Sequence, residues 1–97
     1  MKRRLLTKEI ISSFINQLRL EEKSENTIKK YAHDVNAFAN SMRSTTIKKE
    51  LVIEYKQKLI EDKYAVSSIN SMLAALNSLF DYLGWVDCKV KAIKMQR

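Results

Sequence analysis

Residues 67–84, SSINSMLAALNSLFDYLG, decide the fold. Ile69, Leu73, Leu76, Phe80 and Leu83 recur at three- and four-residue intervals, flanked by Met72 and Leu79. That period predicts an amphipathic helix over about residues 68–83. Ser67 is the expected N-cap, and Gly84 is the expected left-handed stop. The side away from the stripe carries Asn70, Ser71, Ala74, Asn77, Ser78 and Asp81. These side chains are short, so another surface can approach that side closely. Asn is also the side chain that pairs bidentately with adenine in a major groove.

Three more helices are predicted upstream by the same period. The first covers about Lys8–Glu22, with Thr7 as N-cap and Ile10, Ile11, Phe14, Ile15 and Leu18 inward. The second covers about Ser24–Met42. It opens with a short-side-chain cap and an acid in its first turn, and Ile28, Tyr31, Val35, Phe38 and Met42 face inward. Its other side carries Asn26, Lys29, Lys30, His33, Ala37 and Asn40, with Asp34 off to one side. The third covers about Lys48–Lys63, with Val52, Tyr55 and Leu59 inward, Leu51 and Ile60 as further candidates for that side, and a mixed-charge outer side that reads as ordinary solvation. After Gly84 the character changes: Asp87 stands against Lys89, Lys91, Lys94 and Arg97, which suggests a short fifth helix or an extended strap.

Composition supports an all-α fold. The chain has 97 residues, no proline and one glycine, with 45% hydrophobic and 30% charged residues. Hairpins and sandwiches need turn residues that it lacks, and this length and apolar content suit one small bundle. The expected domains are residues 1–88 as a helical domain and 89–97 as a basic linker. A net charge of +7 points to a polyanionic partner, because each cation that neutralises a phosphate releases counterions.

Several chemistries are excluded or unsupported. One cysteine, Cys88, allows no internal disulfide, and with one histidine, His33, it supplies no metal cluster, so neither a metal nor a cofactor is expected. His33 sits among lysines on an outer side, where a surface or phosphate-facing role suits it better than general-base work. A single glycine cannot build a phosphate loop. No run approaches the ~20 apolar residues of a membrane span, and no signal-peptide core follows the basic start. The expected location is the cytoplasm.

The basic side of the second helix is the strongest functional signal. Lys29, Lys30 and His33, with Asn26 and Thr27 near the helix start, offer donors at successive turns, and a helix N-terminus suits a phosphate. Across the chain, Ser24-x-x-Thr27-Ile28-x-x-Tyr31-x-x-Asp34-Val35-x-x-Phe38 resembles the second-helix signature of the core-binding domain of tyrosine recombinases. Residues 67–83 resemble the fourth-helix signature, Glu50-Leu51-x-x-x-Tyr55-x-x-x-Leu59 is similar to the third, and Gly84–Lys91 with Met95-Gln96-Arg97 looks like the linker into the catalytic domain.

The resemblance implies a four- to five-helix, SAM-like orthogonal bundle that forms half of a clamp around duplex DNA. It implies that the second and fourth helices face the major groove. By matched position it places Thr27, Lys30 and His33 there from the second helix, and Ser68, Asn70, Ser71 and Asn77 from the fourth. Lys91, Lys94 and Arg97 would track phosphates. The family's catalytic half is missing from this sequence, so the chain looks like an isolated domain or a truncated product and is not expected to be an enzyme itself. Its implied partners are double-stranded DNA and the catalytic domain of the full-length protein. A monomer is expected alone, and a homotetramer on DNA when intact. The alternatives are a helical interaction or oligomerisation module and a helix-turn-helix regulator.

Overall fold

The computed structural model describes residues 4–43 and 45–94. Among them are four α-helices, α1 (Lys8–Leu20), α2 (Glu25–Ser41), α3 (Lys49–Glu61) and α4 (Val66–Leu83), a 3-10 turn over Val86–Cys88, and no strand. The fold is all-α, in the expected helix order. The chain divides into two compact units between Ile47 and Lys48.

The first unit holds α1 and α2. Thr7 caps α1, its hydroxyl accepting from the Ile10 amide at 3.2 Å, and Ser24 caps α2 by accepting from the Thr27 amide at 3.2 Å. Each cap satisfies a backbone donor that the first turn leaves without a partner. Ile11, Phe14 and Leu18 from α1 and Ile28, Val35 and Phe38 from α2 are buried. Tyr31 and Met42, expected on the inward stripe of α2, are only half-buried. The Ile47 amide donates to the Arg4 carbonyl at 2.8 Å, tying the segment before α1 to the end of the unit.

The second unit holds α3, α4 and the basic segment that follows them. Val52 and Leu59 from α3 and Ile69, Leu73, Ala75, Leu76, Leu79 and Phe80 from α4 are buried, together with Cys88 and Val90. α4 starts earlier than expected. Ala65 occupies the N-cap with no side-chain bond, and Ser67 lies inside the first turn. The serine is a plausible cap by residue type, but the helix lengthens by starting at Val66. Ala65 therefore forgoes the roughly 1 kcal/mol of a capping side chain.

Three helices close in the same way. In each, an amide just past the end donates back to the carbonyl five residues earlier: Lys23 to Leu18 (3.1 Å), Tyr64 to Leu59 (3.3 Å) and Trp85 to Phe80 (2.8 Å). This closure needs a left-handed residue in between. Gly84 supplies it on α4 at φ 76°, and Glu22 and Lys63 supply it on α1 and α3 at φ 60° and 65°. Trp85 then stacks on Phe80, with ring centroids 6.4 Å apart, as the hydrophobic contact that accompanies such an end.

Candidate nucleic-acid interface

On α2, Asn26, Lys29, Lys30 and His33 are exposed, as are Asn36, Ala37 and Asn40 further along. The side chains of Lys29 and His33 take part in no ion pair or hydrogen bond among the described residues. Lys30 differs. Its ammonium pairs with Asp34 one turn later, and Asp34 is the one buried charged residue among those described. A carboxylate 6% exposed requires a partner. Lys30 therefore neutralises the inside of the domain, and its charge is largely engaged there. Thr27 is half-buried and its hydroxyl accepts from the Ser24 hydroxyl at 3.0 Å, so it serves the helix start.

Lys8 and Arg43 join the cationic surface without having been expected there. Both are exposed and line a small cleft of about 300 Å³ with Leu6, Ile11, Asn36, Ala39 and Asn40, where no acidic residue intrudes. Lys29, Asn36 and Asn40 stand at i, i+7 and i+11, hence on one sector of α2, and Arg43 follows just past its end. An i+7 and i+11 search from Lys29 would find the carboxamides. Arg43 lies beyond the helix, where periodicity gives no direction.

On α4 the structure corrects the expectation for Asn70 and Asn77. Residues 89–94 run back along the helix as an extended strap. Asn77 donates through Nδ2 to the Val90 carbonyl (2.9 Å) and accepts from the Val90 amide through Oδ1 (3.1 Å). Asn70 does the same with Ile93, at 2.9 Å and 2.7 Å. Seven helical residues advance about 10.5 Å and three extended residues about 10 Å, so the two carboxamides meet two points of the strap without strain. Both are half-buried beneath it and have no free edge for a base. Ser71 is half-buried as well, whereas Ser68 at the helix start is exposed.

Two further contacts hold the strap. Lys89 forms a two-point ion pair with Asp81 at 2.9 and 3.0 Å, and Lys56 of α3 donates to the Lys91 carbonyl at 2.7 Å. Lys91 and Lys94 are exposed; Arg97 lies outside the described residues. Cys88 is fully buried. No group of His, Cys, Asp and Glu able to hold a metal occurs among the described residues, and no helix there is long and apolar enough to cross a membrane.

These helices and their motifs define a small SAM-like helical domain. The family described as phage integrase, N-terminal SAM-like domain, matches residues 11–86, and the chain belongs to it. It is 32% identical over 84 residues to the tyrosine recombinase XerA of Pyrococcus furiosus, covering 87% of this chain and 29% of that protein. It is 31% identical over 90 residues to the tyrosine recombinase XerA of Pyrococcus horikoshii, covering 93% of this chain and 30% of that protein. The chain thus spans under a third of the length of these relatives.

Proposed function

We propose that this domain binds duplex DNA through the first unit, with α2 laid against the phosphate backbone. Lys29 and His33 make the central contacts, Asn26 contributes at the helix start, and Lys8 and Arg43 extend the track beyond the helix end. The observation that carries this reading is the exposed α2 side, whose Lys29 and His33 have no acidic partner among the described residues while the neighbouring Lys30 is held by Asp34. Membership of a family whose relatives are named recombinases supports DNA as the polyanion. Ser68 on α4 is a further exposed hydroxyl suited to a phosphate, whereas Asn70, Asn77 and Thr27 are engaged in holding the domain together.

In the full-length protein this domain would act beside a catalytic half that cuts and rejoins strands, and would itself contribute binding and position. Phosphate contacts supply affinity without sequence information, so binding is weak and salt-sensitive. Fluorescence anisotropy of a labelled duplex, titrated at several salt concentrations, tests the proposal. Replacing Lys29 and Arg43 by Ala together is expected to lower the salt slope by about 1.8, since each neutralised phosphate contributes about 0.9. An unchanged slope in a variant that retains its helical circular dichroism would place the duplex on another surface.

A further inference from the structure

In the second unit, α3 and the strap enclose an open groove of about 600 Å³. Ile53 and Ile60 on α3 and Val90 and Ile93 on the strap contribute its apolar lining. Ile53 and Ile60 stand two helical turns apart and remain 43% and 42% exposed, which is costly for two isoleucines on one side of a helix. Around this floor stand Lys49, Lys56, Lys91 and Lys94, and no acid lines the groove. The acids of α3, Glu50, Glu54 and Glu61, lie elsewhere on the helix. The bond from Lys56 to the Lys91 carbonyl fixes one wall to the other without cancelling a charge.

An apolar floor inside a cationic rim selects its partner by two properties at once. Duplex DNA would satisfy the lysines but leave the isoleucines against water and phosphate. An amphipathic helix with acidic flanks satisfies both, with apolar anchors at i and i+7 over Ile53 and Ile60 and carboxylates against the rim. We propose that this groove docks an acidic amphipathic helical segment of a partner protein. The surface shares no residue with the proposed DNA contacts on α2, so either reading can fail alone.

The test uses a fluorescein-labelled helical peptide of about 16 residues, long enough to cover ~24 Å, with leucines at i, i+4, i+7 and i+11 and glutamates between them. Anisotropy is read on the 97-residue chain and on two variants, Ile53→Ser with Ile60→Ser, and Lys91→Glu with Lys94→Glu. These positions are exposed or lie at the groove edge, so circular dichroism is expected to be unchanged. Saturable binding to the native chain is expected, weakened about tenfold or more in each variant, and absent for a peptide with lysines in place of glutamates. The proposal is overturned if the native chain does not bind, if both variants bind like the native chain, or if the lysine peptide binds equally well. It is also overturned if an unlabelled duplex displaces the peptide and loses affinity with Lys91→Glu and Lys94→Glu, which would make the rim a phosphate surface. Dimerisation in light scattering that Ile53→Ser abolishes would instead assign the groove to a second copy of the chain.

Discussion

The polar side of α2 ends in charged tips that stay in water, whereas the polar side of α4 ends in carboxamides that a strap takes up. A lysine offers only donors and carries a charge that is expensive to cover. An asparagine carboxamide offers one donor side and one acceptor side, as a peptide group does, so an extended segment can pair with it as with a neighbouring strand. Asn26, Asn36 and Asn40 on α2 nevertheless stay exposed, so the carboxamide makes such pairing possible and the strap over α4 brings it about. Lys30 shows the same logic on α2, since the one lysine beside a buried carboxylate is the one drawn inward.

The contrast is broken most strongly by removing the carboxamides. Replacing Asn70 and Asn77 together by Ala deletes four hydrogen bonds to the strap, each worth about 0.5–1.5 kcal/mol net. Chemical denaturation should show a drop of about 2–4 kcal/mol, and the Val90 and Ile93 amides should lose protection from hydrogen exchange. If those amides stay protected, the strap is held by its apolar contacts and the carboxamides are incidental.

Lys30 and Lys29 sharpen the α2 half. Lys30→Ala leaves Asp34 buried without its cation and should cost about 1 kcal/mol, limited by the 45% exposure of the lysine. Lys29→Ala should change stability by less than about 0.5 kcal/mol while lowering the salt slope of DNA binding by about 0.9. Equal unfolding midpoints for the two variants would remove the distinction between these neighbours. The smallest effect belongs to the ion pair at the head of the strap. Asp81→Asn should cost at most about 1 kcal/mol, because both partners are partly exposed, and thermal unfolding with and without added salt reads it.

Much of the fold is legible in the sequence because helices announce themselves locally. Thr7 and Ser24 are identifiable as caps by residue type and position, and the α4 stripe with Gly84 marks both side and end. Asn70 and Asn77 escape such a reading for a physical reason. Periodicity shows which side of a helix turns away from its own stripe, but not whether a distant segment lies on that side. The signal is present in the tail, where Val90 and Ile93 interrupt the lysines at a spacing that fits two turns of helix. The pairing of Lys30 with Asp34 at i+4 is equally readable, and the burial of Asp34 is not, because a carboxylate is ordinarily solvated.

The helix ends carry one further consequence. Glu22 and Lys63 hold a backbone geometry that costs an L-residue about 1–2 kcal/mol, and both side chains are exposed. The domain therefore keeps an untapped reserve of thermostability at two exposed surface junctions. Glycine at each would raise the melting temperature by a few degrees, about 4–8 °C per kcal/mol in a domain of this size. Heat tolerance can thus be adjusted at these ends without touching a residue proposed to meet a partner.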